Sequence, residues 1–302
     1  MAAVQVAAFY RFSPMRDLDV LRPELLQLAA GVGVRGTILL AAEGVNGTIS
    51  GPETGVQRVL ARLRHVPGLE PLEAKLSWAP EQTFARLKVR LKREIVTMGC
   101  PTVKPAEQVG TYVAPADWDA LIQDPDTLVI DTRNSYEVAV GTFAGALDPG
   151  TGSFREFPAW VEQQLRPLVQ QRRPKALALF CTGGIRCEKA TGYLLQQGFS
   201  GVHHLQGGIL RYLEEVPAER SSWRGECFVF DQRVTVNHQL EPGSYSLCFA
   251  CGLPLAPVDL DHPAYCEGVS CHQCIDRFSD DDRARFAERQ RQHLQAHSAV
   301  NA

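Results

Sequence analysis

The sequence predicts a chain of mixed α/β and α+β architecture in three units. Strand and helix patterns in the first hundred residues follow the order βαββαβ. A five-residue apolar run, Ala176-Leu177-Ala178-Leu179-Phe180, is followed by a helical pattern, as a parallel strand buried on both faces is. Two Cys-x2-Cys pairs stand in the last quarter. At 302 residues the chain exceeds one ordinary domain. The expected divisions are 1–98, a linker at 99–114, a central unit at 115–218 and an extension at 219–302.

In the first unit, residues 4–10 alternate as a strand and 18–30 carry helical spacing. Strands at 37–41 and 48–50 flank the turn-rich Glu43-Gly44-Val45-Asn46-Gly47. A helix at 53–64 and strands at 72–78 and 86–91 complete a ferredoxin-like split βαβ unit, with helices on one face of an antiparallel sheet. In the last strand Arg86, Lys88, Arg90 and Lys92 alternate with Leu87, Val89 and Leu91, so the four cations share one face, and Arg93 extends the patch. Such a stripe suits phosphate neutralisation on a folded RNA. A sheet edge blunted by cations has the same pattern. The net charge of −3 excludes a general polycation, so nucleic-acid contact has to come from a local patch of this kind.

Residues 99–114, with Pro101 and Pro105, show little periodicity and read as a connector, in which Cys100 has no partner motif. In the central unit the apolar stretches 128–130 and 176–180 are expected as central parallel strands. The second runs into Cys181-Thr182-Gly183-Gly184-Ile185-Arg186, and helical spacing follows over 188–197, closed by Gly198. Paired glycines let successive amides of Thr182, Gly183, Gly184 and Ile185 turn inward, and the helix adds its positive end to the same concavity. Those donors and the Arg186 cation favour thiolate over thiol, which makes Cys181 the candidate nucleophile and Arg186 its catalytic partner. Cys187, in the first turn of the helix, either attacks an oxidised Cys181 or faces the core. Asp131 and Arg133, two residues apart at a strand end, are expected to orient loops.

Beyond Pro217, residues 225–231 read as a strand with Cys227 buried in it. Cys248-x2-Cys251 and Cys271-x2-Cys274, nineteen residues apart, form a zinc-ribbon-like set of four thiols suited to a structural Zn site. Cys266 is the spare fifth thiol, and His262 and His272 are alternative ligands. Residues 280–297 form a highly charged helical pattern. Nine cysteines without a basic leader or an apolar run of about eighteen residues fit a soluble, cytoplasmic protein using thiols for metal or chemistry. No dinucleotide-binding glycine turn, haem attachment pair or non-haem iron triad is present, so no organic cofactor or catalytic metal is identifiable from the residues.

The loop 181–186, the stretch Val129-Ile130-Asp131-Thr132-Arg133 and the stretch His204-Leu205-Gln206-Gly207-Gly208-Ile209 resemble the rhodanese superfamily. In that superfamily a six-residue loop fits a sulfur atom, whereas the longer loop of related phosphatases fits phosphate. The resemblance widens to nearly the full chain through Ala42-Glu43-Gly44-Val45-Asn46-Gly47-Thr48-Ile49-Ser50-Gly51, Leu87-Lys88-Val89-Arg90, Glu94-Ile95-Val96, residues 225–231 and the terminal cysteine pairs. Over that length the chain resembles the bacterial rhodanese-domain tRNA uridine hydroxylases. This resemblance implies a rhodanese-like central domain and oxygen-dependent hydroxylation of the wobble uridine to 5-hydroxyuridine. It further implies molecular oxygen as co-substrate, Cys181 as the essential cysteine, and the tRNA anticodon arm as partner, with no DNA or membrane partner. A persulfide on Cys181 would fit the same cradle. A sulfurtransferase or persulfide carrier acting on a small thiol acceptor or protein is the alternative, since it uses the same loop.

Overall fold

The computed structural model describes residues 3–300. The first unit comprises Val4–Phe12 (β1), Leu18–Gly31 (α1), Arg35–Ala41 (β2), Gly44–Gly51 (β3), Glu53–Arg64 (α2), Ala74–Ala79 (β4) and Leu87–Leu91 (β5). Its sheet runs in the order β4-β1-β3-β2-β5, with β5 parallel to β2 and every other neighbour antiparallel. This is the expected split βαβ arrangement, with the fifth of the expected strands, β5, placed on its edge beside β2. Leu21, Leu25 and Ala29 of α1 and Val56, Val59, Leu60 and Leu63 of α2 fall at helical spacing and bury against Ala7, Ile38, Leu40, Val45 and Ile49. Alternate residues, Ala8, Tyr10, Thr37, Leu39, Asn46 and Thr48, therefore look away from the helices. The turn between β2 and β3 is shorter than its glycines suggest. Ala42 and Glu43 alone make it, and Gly44–Gly47 already pair with both neighbouring strands.

Thr111–Val113 (β6), Pro115–Gln123 (α3), Thr127–Asp131 (β7), Ser135–Val138 (α4), Gly141–Phe143 (β8), Phe157–Trp160 (α5), Arg166–Arg172 (α6), Ala176–Phe180 (β9), Ile185–Gln196 (α7), Val202–Leu205 (β10) and Gly208–Glu215 (α8) follow. The all-parallel sheet has the order β6-β10-β9-β7. Leu177 and Leu179 pack with Cys187, Ala190 and Leu194 of α7, whereas Ala178 and Phe180 pack with Trp118 of α3 and Ile209 and Tyr212 of α8. Helices on both faces explain why β9 reads as an unbroken apolar run. The segment 99–114 is less independent than a connector. Val103 is buried in the α7-side core, and β6 adds a parallel edge strand to the sheet.

In the extension, Trp223–Gly225 (β11) pairs with β8, and Cys227–Phe228 (β12) pairs with Thr235–Val236 (β13). The single strand expected at 225–231 is broken because Gly225 takes φ of 82°, with Val140 O and Gly141 Cα too close for any Cβ. Ser246–Leu247 (β14), Pro254–Leu255 (β15) and the helix Asp280–Val300 (α9) complete the chain. Among the described residues no helix is long and apolar enough to cross a membrane.

The units are tied by buried charge. Lys189 of α7, fully buried, donates to Glu43 in the β2–β3 turn at 2.8 and 2.9 Å and pairs with Glu94 at 2.7 Å. Glu43 also accepts the Ile95 amide at 2.7 Å, and Glu94 accepts those of Met98 and Gly99. The extension reaches the first unit through Arg233, which donates to Ser77 Oγ at 2.9 Å, and through the Gln232 amide on Thr83 O.

Candidate active site

Cys181 is the first residue after β9, and three residues separate it from α7. Gly184, at φ of 102°, turns its N–H onto Cys181 Sγ at 3.1 Å. A second helix start closes on the same loop, where Ile209 and Leu210 donate to Cys181 O and Thr182 O at 2.9 and 3.1 Å. That approach requires Gly208, because a Cβ there would lie 2.5 Å from Cys181 O and 2.7 Å from Gly184 N.

Burial alone would raise the Cys181 thiol, yet it is brought down to about 5 by the Cys187 side chain, the Arg186 charge and the amides of Cys187 and Gly184. Burial pushes the Cys187 thiol well above its ordinary value, with the hydrogen bond to Cys181 acting in the same direction. Cys187 thus stays protonated, packed in the α7-side core, the second of the two roles its position allows. Thr132 Oγ1 lies 3.5 Å from Cys187 Sγ on the other side.

Arg186 is not an open fork. Its two terminal nitrogens meet Glu137 at 2.7 Å each, in a buried pair, so it acts on Cys181 through charge. Burial would raise the Glu137 carboxyl, but Arg186 holds it below the ordinary range. Thr182, Gly183 and Ile185 line the adjoining cavity; the sulfur's amide donors are Gly184 and Cys187. Asp131 and Arg133 form a fully buried pair at 2.6 Å, and Arg133 also donates to Gly141 O at 2.6 Å, fixing β8 beside the loop.

Cys181 lines a cavity of about 570 Å³. One wall is the helix-free face of the first sheet, with Tyr10, Thr37, Leu39, Asn46 and Thr48. A second is the loop, and a third is the extension, with Val229, Asp231, Arg233 and the 58% exposed Phe230. Lys75 of β4 crosses from the first unit and donates to Gly183 O at 2.7 Å, with its nitrogen 5.6 Å from the Tyr10 ring centre. Burial draws the Lys75 ammonium down to about 8, opposed by the charges of Cys181 and Glu188. Tyr10 donates to Glu188 at 2.8 Å. Sequence reasoning missed Glu137, Lys75 and the Lys189 cluster; only the Asn134-x2-Glu137 spacing at a helix start was a visible signal.

The basic stripe adjoins this cavity. Lys88 and Arg90 pair in register with Thr37 and Leu39, which line it, so their side chains rise from the same sheet face at its edge. Arg86, Lys88, Arg90 and Lys92 are all exposed, and among the described residues none forms an ion pair.

Far from the loop in sequence, the sulfurs of Cys248, Cys251, Cys271 and Cys274 lie within 4.8 Å of one another. Three of the separations are 3.6, 3.9 and 4.0 Å. A Zn–S distance of about 2.3 Å places tetrahedral sulfurs roughly 3.8 Å apart, so the set fits such an ion. Cys266 is exposed and bridged to Ser270, outside the set. His262 and His272 face each other at 5.3 Å, and His272 leans on Asp259.

Residues 4–95 match the family model of a UPF0176 acylphosphatase-like domain, and residues 114–215 that of a rhodanese-like domain. The chain is 59% identical over 306 residues to a protein of Parasynechococcus marenigrum (strain WH8102) named tRNA uridine(34) hydroxylase, covering 99% of this chain and 95% of that one. Its similarity to the protein of the same name from Synechococcus sp. (strain CC9902) is 58% over 299 residues, with 97% and 98% covered. For that of Prochlorococcus marinus (strain NATL2A) it is 52% over 290 residues, with 95% and 91% covered.

Proposed function

The chain belongs to the tRNA uridine(34) hydroxylase family, and from that membership and the site's geometry we propose that it hydroxylates the wobble uridine of tRNA with Cys181 as the reacting group. The observation that supports this reading most is the placement of a stabilised thiolate in a cavity walled by all three units. A uracil ring enters such a space only when unstacked, as the bases of a single-stranded loop are, and so the anticodon arm is the expected partner. The exposed stripe from Arg86 to Lys92 lies at the cavity's edge, where phosphates of the arm would be neutralised.

Exchanging C5–H for C5–OH inserts one oxygen atom. Dioxygen supplies it, and two electrons and two protons from an external reductant convert the second oxygen to water. Cys181 makes C5 reactive by addition: the Sγ–C6 bond forms, the C5=C6 pair moves toward C5 and O4, and C5 becomes the nucleophilic carbon. After oxygen transfer, loss of the C5 proton and departure of Sγ with its bonding pair restore the ring. A closed four-thiolate site at Cys248, Cys251, Cys271 and Cys274 would give Zn²⁺ a structural role, shaping the extension. Cytoplasmic location follows from a tRNA substrate.

The test is Cys181→Ala expressed in cells lacking the native enzyme, with tRNA nucleosides read by mass spectrometry. Loss of 5-hydroxyuridine is expected, and undiminished modification rejects the role of the thiol. Thiosulfate-to-cyanide turnover by a wild-type protein that leaves uridine unmodified would identify a sulfurtransferase instead.

A further inference from the structure

We propose that Lys75 is a catalytic residue, donating from Nζ to O4 of the uracil and holding the negative charge that moves from Sγ to O4 as the Sγ–C6 bond forms. This rests on Cys181 being the group that adds to the ring. Three observations lead to it.

First, Lys75 comes from a different unit than the loop it serves. It stands on β4, at the edge of the first sheet, and among the described residues its one hydrogen bond is to Gly183 O at 2.7 Å, two residues from Cys181. An ammonium has three N–H donors, so two are left for a ligand, and Lys75 lines the same cavity as Cys181.

Second, the other cations of the cavity are committed or peripheral. Arg186 is gripped by Glu137, Arg233 is paired with Asp231 at 2.6 Å, and Arg155 is exposed. Among the described residues Lys75 has no ion-pair partner. The groups facing it are Cys181 from the loop, Tyr10 from β1, Glu188 from α7, Arg211 from α8 and Glu73 just before its own strand.

Third, the charge movement matches the position. Addition conserves one negative charge and moves it from sulfur to a carbonyl oxygen, so a cation near both ends stabilises the thiolate beforehand and the enolate afterwards. A fixed donor aimed at developing charge is the arrangement that gives large rate effects. With burial drawing its ammonium down to about 8, Lys75 is charged at neutral pH and loses that charge in mildly alkaline solution.

The experiment uses full-length Lys75→Gln and Lys75→Arg. 5-hydroxyuridine is measured in cells lacking the native enzyme, tRNA affinity by gel shift, and alkylation of Cys181 as a function of pH. Lys75→Gln should lower 5-hydroxyuridine by roughly tenfold or more while tRNA affinity stays within about twofold. Lys75→Arg should recover a substantial part of the product, because the charge is restored. In Lys75→Gln, whose amide keeps a donor for Gly183 O, the midpoint of Cys181 alkylation should move to higher pH through loss of the charge, and Lys75→Arg should bring it back. Wild-type product from Lys75→Gln overturns the proposal, as does a loss matched by an equal loss of tRNA binding. Should neither variant fold, the wild-type protein decides: alkylation of Cys181 should show a second step near pH 8 as the ammonium deprotonates, and a single-step profile overturns the proposal. A Cys181→Ala variant that still hydroxylates would instead bring down the role of the thiol on which the proposal stands.

Discussion

Lys189→Met removes the cation that ties α7 to the first unit while keeping side-chain length and apolar volume. The ammonium is fully buried and meets Glu43, Glu94 and, at 3.3 Å, Val96 O. Removing one partner of a buried ion pair costs about 3–5 kcal/mol, because the remaining charge stays out of water. Here Glu43 keeps the Ile95 amide and Glu94 keeps those of Met98 and Gly99, which places the loss near the lower end, about 3 kcal/mol. For a chain of 302 residues that corresponds to a fall of about 5 °C in melting temperature. The transition should also broaden, since the two units no longer open together. Its pH dependence has a definite sign. Burial pushes the Glu94 carboxyl up, but the hydrogen bond and charge of Lys189, with the two amides, hold it below the ordinary value. A carboxyl depressed by folding lends stability that is present above its unfolded pKa and lost as pH falls through the folded one. Without Lys189 only the two amides oppose burial, so the variant draws less of this stability at neutral pH. The gap between wild type and variant should therefore be full at neutral pH and narrow only as pH falls below about 4.5, as followed by thermal melts monitored by circular dichroism. Equal melting at neutral pH, or a gap that does not change on acidification, would refute the buried-charge account.

The stripe and the metal site give two further expectations. Replacing Arg86, Lys88 and Arg90 by Ala should weaken tRNA binding and flatten its logarithmic salt dependence by about 0.7–0.9 for each phosphate no longer neutralised; an unchanged slope would return the stripe to the role of a blunted sheet edge. Elemental analysis should find about one zinc per chain, absent from Cys271→Ser, and chelation should lower the melting temperature. Metal-free protein with an unaltered melt would reject a structural zinc site.

The elements legible in the sequence were those whose pattern is local. Residues 176–180 marked β9 to the residue because an apolar run of that length has one use in a doubly covered sheet, and the Cys-x2-Cys pairs announced their cluster by spacing alone. The turn that holds Cys181 was legible for the same reason, since a strand, a glycine loop and a helix start are built from neighbours in the chain. What stayed hidden lies between units. Nothing in residues 70–80 marks Lys75 as more than one charge on an edge strand, and its partner carbonyl is 108 positions away. Arg186 reads as a free cation as long as Glu137, 49 positions upstream, is unplaced. Gly225 reads as part of a strand because its apolar neighbours outweigh it; only the proximity of Val140 shows why the backbone must turn there.

The helix after the loop explains why a continuous motif serves so many purposes. An α-helix turns about 100° per residue, so four successive side chains point to four different quarters. Here Arg186 goes to Glu137 at the start of α4, Cys187 to the sulfur of Cys181, Glu188 to Tyr10 of the first sheet, and Lys189 to Glu43 and Glu94 at the junction. The first two of these contacts lie within the central unit. The last two have meaning only if the first unit is docked, and the docking brings Lys75 against Gly183 on the far side of Tyr10. The first unit thus does more than carry the stripe proposed to meet RNA. It completes the cavity wall and contributes a charge to the reacting loop, so separating the units should disable chemistry even where tRNA binding survives.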